Sequence, residues 1–578
     1  MRRRTRNRLL PLGAAVLAAA AVNLGAAQGA AAGSAATNPV LGHYRHLVVI
    51  YEENHSFDNL YGGWGSANGR PVDGLTDADP TNTLQVKQDG RTYACLLQND
   101  VNLATPPLSA RCTDDASGTT FASHFPNRPF AIDDYVEPTD ATCPLPGGFS
   151  SVLKGTGLPG GCTRDLVHRF YQEQYQLDGG RQDRYTTGSD AVGLTQGYYR
   201  TQNLPIYRYL HSPGAPKYVI ADRFFQGAFG GSFLNHQYLV AAAAPPFPGA
   251  VNDGSGTDLH SVLDANGFPK AYPLHAPTTA TVKDSPLTQA CGLPTTKTGV
   301  ACGDFAVNTI QPQYQPYTPG TPDASRLPAV DDRTTAKNIG DLMSIKRVSW
   351  AWYSGGWDNA AGNVGGPGWT NGTAGTCADP RTVTGATYPN CPDTSFQYHH
   401  QPLNYFARYA PGTPDRAAHL KDEKAFLAAA RRGALPQVSF VKPIGAENEH
   451  PGYASESNGS RHLVTLLKAI AAGPQAKDTL VVVTYDEFGG QWDHVSPPGQ
   501  TAGGRTNGGP HDLYGPGTRV PALVISPSLP HSGVDFTSHD TTSILATISR
   551  AYGLPALTPR CAAVSDLRSA LRAAGVRP

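Results

Sequence analysis

The stretch Thr479-Leu-Val-Val-Val-Thr-Tyr-Asp-Glu-Phe-Gly-Gly-Gln-Trp-Asp-His-Val-Ser-Pro-Pro498 runs from an apolar, β-branched segment directly into a cluster of charge. Leu480 to Tyr485 shows no alternation of polar and apolar residues, which predicts a strand buried on both faces of a sheet. Asp486 and Glu487 follow at its carboxyl end, the edge where open α/β sheets bind ligands. Gly489-Gly490 permits a sharp turn, so Asp493 and His494 are expected to come back toward the same place. Carboxylates beside an imidazole repel one another unless a cation or a shared proton intervenes, and the stretch therefore predicts a divalent metal site. The plainer alternative is a strand end with solvated acids and an ordinary turn.

Working outward, several short apolar runs have the same character: His46–Tyr51, Lys217–Ala221, Arg347–Tyr353, Gln437–Val441 and Arg519–Ile525. Pro521 predicts that the last of these is an edge strand or begins after the proline. Apolar residues at three- and four-residue spacing predict helices over Leu166–Tyr175, Thr334–Ser344, Ala417–Arg432, Ser460–Ala472 and Thr541–Tyr552. Strands alternating with helices predict an α/β fold with a largely parallel central sheet flanked by helices.

The run at His46–Tyr51 repeats the logic of the opening stretch, because it leads into Glu52-Glu53-Asn54-His55-Ser56-Phe57-Asp58. Carboxylate and carboxamide oxygens suit a hard or borderline cation, so Glu53 and Asn54 join Asp486 and Glu487 as candidate ligands of one divalent ion of unassigned identity. A third segment, Gly230-Gly-Ser-Phe-Leu-Asn-His236, supplies a candidate nucleophile in Ser232. Its glycines allow an anion close to the backbone, and a helix beginning there would aim free N–H groups at a phosphate. Serine needs a metal or a base beside it to attack; read alone, Gly-Gly-Ser is a turn. His168, the pair His399-His400, and His450 complete the set, as imidazoles able to neutralise a phosphate dianion and protonate a leaving oxygen.

The remainder of the chain sets limits. Its 578 residues carry 46 basic and 46 acidic side chains, so no electrostatic footprint points to nucleic acid or to an anionic membrane. Residues 1–36, with Arg2, Arg3, Arg4, Arg6 and Arg8 ahead of an Ala-rich apolar run, read as a signal peptide, which predicts an exported protein that is secreted, periplasmic or cell-surface. Arg2-Arg3-Arg4-Thr5 also resembles a twin-arginine signal. No second apolar run is long enough to span a bilayer. Residues 37–578 read as one catalytic domain with insertions near 62–163, 269–332 and 355–394, expected as long surface loops that wall a site or merely decorate it. Nine cysteines in an exported chain predict disulfides between near neighbours, Cys95 with Cys112, Cys143 with Cys162, Cys291 with Cys302 and Cys377 with Cys391, leaving Cys561 over.

Taken together, Glu52–Asp58, Gly230–His236, Trp350–Tyr353, His399–Pro402, Glu447–Pro451, Asp486–Val495 and Gly515–Pro521 resemble the bacterial phosphoesterase family that contains acid phosphatases and non-specific phospholipases C. The resemblance spans about Leu41 to Leu554 in family order. It implies a core similar to the alkaline-phosphatase superfamily with a smaller elaborated region, metal ligands at Glu53, Asn54, Ser232, Asp486 and Glu487, and Ser232 as nucleophile. It also implies active-site roles for His168, His399, His400, His450 and Asp486. Serine at the nucleophile position points, within that family, to the acid phosphatases, hence to hydrolysis of phosphate monoesters through a phosphoseryl intermediate. A phospholipase C acting on lipid head groups is the alternative, and a binding protein on an inactive phosphoesterase core is the reading from outside enzymology. The implied partner is a small phosphorylated molecule or a phospholipid.

Overall fold

The computed structural model describes residues 38–98, 110–114, 118–145, 153–245, 262–263, 271–276, 281–282, 330, 332–370, 396–500 and 508–577. The predicted signal peptide, the twin-arginine motif, Cys291, Cys302, Cys377, Cys391 and most of the 269–332 and 355–394 insertions lie outside them.

The apolar runs become the strands of one eight-stranded sheet: β1 His46–Glu52, β2 Lys217–Ala221, β3 Trp350–Ser354, β4 Leu420–Asp422, β5 Val438–Lys442, β6 Thr479–Tyr485, β7 Ala522–Ser526 and β8 Gly533–Asp535. Their order is β4-β3-β5-β1-β6-β7-β2-β8, with β7 antiparallel to both neighbours and every other pairing parallel. β1 and β6 lie side by side, His46 opposite Thr479 and Glu52 opposite Tyr485, so their acidic carboxyl ends emerge together. All seven residues of β6 are buried, as the absence of alternation predicted. β7 begins just after Pro521 and lies inside the sheet. Its reversed direction follows from its connection, since the described residues between β6 and β7 contain no helix to carry the chain back to the opposite edge. Residues just before β7 therefore sit at the same edge as Asp486.

The helices that matter for the site are α1 Phe57–Leu60, α2 Phe170–Leu177, α3 Ser232–Ala241, α4 Glu423–Arg432, α5 Glu456–Ala471 and α6 Thr541–Tyr552. The sheet and most of these helices share one apolar core. Three helix expectations need correction. The helix expected over Thr334–Ser344 begins only at Ile339, where the Asn338 side chain accepts from the Asp341 N–H and sets its start. Leu166–Arg169 is not helical, and α2 starts at Phe170. The helix expected over Ala417–Arg432 is broken by β4, because Leu420 is buried beside Trp352 of β3 and Asp422 caps α4 by accepting from the Lys424 N–H at 2.9 Å.

The insertion at 62–163 is also more ordered than a run of loops. It holds a three-stranded antiparallel sheet of Cys95–Leu97, Thr119–Pro126 and Ala110–Asp114. Phe121 and Phe125, on one face of the central strand, are buried, and a Cys95–Cys112 disulfide ties the two outer strands. The Cys143–Cys162 disulfide is present as well, and Cys561 is free and buried. No helix among the described residues is long and apolar enough to cross a membrane.

Candidate active site

Ser232 is the first residue of α3, and glycine at the preceding cap position leaves the first turn without a side-chain cap. Gly230 adopts φ +87°, and a Cβ there would run into the backbone of Arg169 and Phe170, so only glycine fits. Buried Glu173 of α2 fixes this turn by accepting from the N–H of Gly230 at 2.5 Å and of Thr518 at 2.7 Å. The serine hydroxyl faces carboxylates from both central strands. Its Oγ lies 3.2 Å from Glu53 Oε2 and 3.4 Å from Glu487 Oε1.

Asn54 occupies the left-handed region at φ 61°, an uncommon conformation for a residue other than glycine, which turns its side chain into the site. Its N–H donates to Asp486 Oδ1 at 3.0 Å, so the ends of β1 and β6 are locked to each other. Asp486 also caps the N–H of Glu487, and Glu487 Oε2 accepts from the Gly489 N–H at 2.6 Å. Burial, with Glu53 second, pushes the Asp486 carboxyl up to about 8; burial, with Asp486 second, pushes Glu487 well above the carboxylate range. Each of these carboxyls thus resists ionisation in the absence of a nearby positive charge.

The imidazoles close the other sides. His400 Nε2 is 3.0 Å and His236 Nε2 is 3.7 Å from Glu53 Oε1, while His450 Nε2 is 4.0 Å from Glu53 Oε2. His168 Nε2 lies 3.5 Å from Glu487 Oε1 and 3.4 Å from Asn54 Nδ2. The extended segment that replaces the expected helix start is what delivers His168, whose Nδ1 is held by the Leu166 carbonyl. His450 Nδ1 is held likewise by the Pro451 carbonyl, so both rings turn Nε2 inward. The His399-His400 turn hangs from β3, where Trp352 Nε1 and Ser354 Oγ each donate to the His400 carbonyl at 2.8 Å. Burial lowers the pKa of all five histidines, and Lys442 is the next cause for His400 and His236.

Nine of the eleven side chains singled out from the sequence, Glu53, Asn54, His168, Ser232, His399, His400, His450, Asp486 and Glu487, are therefore buried around one point at the carboxyl edge of the sheet. Sequence reasoning passed over Lys442, His236 and Glu173. Lys442 ends an otherwise apolar buried strand, the signal that marked Asp486, and His236 lies one helical turn beyond Ser232 on the same face.

The expectation for Asp493 and His494 is corrected. The glycine turn carries them to a neighbouring network, where Arg519 Nε binds Asp493 at 3.0 Å and Nη2 binds Asp58 at 3.1 Å. His494 Nδ1 pairs with Asp58 at 2.6 Å and Nε2 with Asp73 at 2.9 Å. Arg519 and His494, with Arg223 on Asp73, already counter the charge of these three aspartates, which makes the cluster an internal brace. Burial disfavours charge on His494, but Asp58 and then Asp73 outweigh it and push its pKa up to about 10. Below about 6.5, folded and unfolded chains both bind this proton and the stabilisation is fully present. As pH rises from there toward about 10, only the folded state keeps the proton, and the stabilisation is lost at up to ~1.4 kcal/mol per pH unit. Melting temperature should fall across that window in the wild type and be flatter in His494→Gln; matching slopes would show that His494 is not charged in the fold.

The residues gathered around Ser232, in contrast, fit a cation. Asn54 Oδ1 and Asp486 Oδ2 are buried and accept no well-aligned hydrogen bond. Atoms of Glu53, His236 and Asp486 lie within 4.8 Å of one another, as do those of Glu53, His399 and His400. An oxygen-rich set with imidazoles at its margin suits a divalent ion such as Mg, Mn, Fe or Zn.

Comparison with known proteins identifies the family. Phospholipase C A of Mycobacterium tuberculosis is 24% identical over 542 residues, which cover 89% of this chain and 75% of that protein. Non-hemolytic phospholipase C of Pseudomonas aeruginosa is 29% identical over 217 residues, covering 32% of this chain and 31% of the relative. Its namesake from Burkholderia pseudomallei is 34% identical over 163 residues, covering 24% and 23%. A family model described as the Phosphoesterase family matches residues 149–555, a span that carries Ser232, all five site histidines, Lys442, Asp486 and Glu487, and the chain belongs to that family of phosphoester hydrolases.

Proposed function

We propose that the protein is an exported, metal-assisted acid phosphatase that hydrolyses phosphate monoesters through a phosphoseryl intermediate on Ser232. In this reading residues 1–36 are the signal peptide, residues 37–578 form one catalytic domain, and the core is of the alkaline-phosphatase type. The observation that carries it is the position of Ser232: an uncapped helix start, with its hydroxyl between Glu53 and Glu487 and five imidazoles around it.

Glu53, Asn54, Ser232, Asp486 and Glu487 would hold one divalent ion, which when bound supplies positive charge that favours the serine alkoxide and the crowded carboxylates. Ser232 Oγ gives its proton to a neighbouring carboxylate and bonds to phosphorus, and the ester P–O bond breaks. The departing alkoxide takes the proton that this carboxylate received, while His168 and His450 turn Nε2 toward Glu487 and Glu53 beside the serine. His399, His400 and His236 compensate the phosphoryl oxygens. Water then attacks phosphorus, the serine ester bond breaks, and Ser232 recovers its proton as phosphate leaves.

Phospholipase C activity is the second reading. It is favoured by the similarity to Phospholipase C A over 89% of this chain and by Leu145, Leu153 and Leu158, which are 67%, 57% and 38% exposed along the Cys143–Cys162 loop. That loop is rooted beside the site, since the Gly452 N–H donates to the Thr163 carbonyl two residues from His450. Turnover of an aryl phosphomonoester should exceed that of an aryl phosphorylcholine diester on the acid side of pH 7, and fall at least ~10-fold on chelation, with recovery when a divalent ion is returned. Preference for the diester assigns the phospholipase reading, and absence of both activities leaves only a binding protein.

A further inference from the structure

Lys442 is the last residue of β5 and is completely buried. A buried ammonium costs several kcal/mol unless its charge is matched, so its partners define its role. Its Nζ donates to the Tyr51 carbonyl at 3.0 Å and the Glu52 carbonyl at 3.4 Å, and stands 2.5 Å from Glu53 Oε1. The last contact is an ion pair set by charge proximity, for Glu53 Oε1 has no well-aligned hydrogen-bond donor.

The two oxygens of Glu53 consequently face different surroundings. Oε2 looks toward Ser232 and His450, and Oε1 toward Lys442, His400 and His236. Both candidate ligand sets that include Glu53 bring an imidazole to Oε1, the oxygen that Lys442 also holds. Glu53 with His236 and Asp486 makes one, Glu53 with His399 and His400 makes another, and Glu53 is common to both. A carboxylate shared between two such sets is the usual bridge of a two-metal site. Here a lysine occupies the neighbourhood of the second set. His400 Nε2 stands 3.0 Å from the same Glu53 oxygen that the Lys442 ammonium holds, so the space a second ion would take beside it is already filled.

We propose that Lys442 is a positioning residue that takes the place of a second metal ion: it holds Glu53 Oε1 beside His399 and His400, and so limits the site to one divalent cation on the Ser232 side. This rests on the metal-assisted reading above. A fixed ammonium supplies charge without exchangeable ligands, so the imidazoles of the second set stay free to meet phosphoryl oxygens.

The test uses the full chain titrated with Mn2+, following bound ion by elemental analysis and electron paramagnetic resonance. The wild type should saturate at one ion per chain with the spectrum of an isolated Mn2+. Lys442→Met should bind two, show the spectrum of a spin-coupled pair, and lose at least ~100-fold in kcat. A lysine that merely supports the fold would lower stability and metal content together without creating a coupled pair. A variant that folds and still binds one ion overturns the proposal. So does a wild type that binds two, an outcome that needs no variant and leaves the metal-assisted reading standing. A wild type that binds no divalent ion overturns both. Should Lys442→Met fail to fold, Lys442→Gln, which keeps a polar tip for the Tyr51 and Glu52 carbonyls, carries the same expectation.

Discussion

Ser232→Ala is expected to reduce phosphomonoester turnover by ~10⁴-fold or more while phosphate or vanadate still binds within a few-fold of wild type. The asymmetry follows from the geometry. The hydroxyl contributes the attacking atom, whereas the groups that would recognise the dianion, the start of α3 and the imidazoles, are held by contacts that do not involve Oγ. Alanine is a better helix residue than serine and leaves the Gly230 turn and its Glu173 anchor intact, so the variant should fold. Acid quenching of wild type during turnover should trap one phosphoryl group on the peptide containing Ser232. Wild-type rates in the alanine variant would rule out the covalent mechanism and transfer the attack to water.

The fold was legible because each core strand is short, apolar and ended by a polar residue. β1, β2, β5 and β6 lie where their runs predicted, and Pro521 gave the start of β7 because a proline has no N–H for an interior ladder. The site was legible for the same reason, since acids after a buried strand have few explanations other than a ligand. Where local pattern and structure part, a tertiary demand prevails. Leu166–Arg169 has helical spacing but is drawn out to present His168, and Leu420 leaves a helical pattern to pair with β3. Asp493 and His494 were misplaced because a glycine pair permits a turn without fixing its direction; that is decided by Arg519, 26 residues beyond Asp493 in the chain. Lys442 was passed over because one basic residue at a strand end reads as a solvated terminus until its neighbours are known.

That same arginine gives the largest expected effect on stability. Arg519 is fully buried, its guanidinium lies 4.1 Å from the centre of the Phe57 ring, and its nitrogens reach Asp493, Asp58, the Asp73 carbonyl at 2.8 Å and the Asp222 carbonyl at 3.3 Å. Arg519→Met fills much of the same volume but leaves Asp58 and Asp493 with His494 as their one remaining cation and Asp222 with the partly exposed Arg223. The expected loss is about 3–5 kcal/mol, read as a lower midpoint in denaturant with little change in slope. Arg519→Lys separates charge from geometry: a point ammonium restores part of the compensation, but it cannot span Asp493 and Asp58 as the planar fork does, so it should fall between wild type and Arg519→Met. If Lys and Met variants were equally destabilised, packing against Phe57 would be the dominant contribution; if Arg519→Met lay within about 1 kcal/mol of wild type, the brace would contribute no more than an exposed ion pair. The consequence reaches the chemistry through α1. The Arg519 carbonyl accepts from the Phe57 N–H at 2.9 Å, and Asp493 accepts from the Asp58 N–H at 3.0 Å, so the brace fixes the segment that begins with Glu53 and Asn54. A weakened brace should therefore lower divalent-ion affinity along with stability, although Arg519 itself touches none of the proposed ligands.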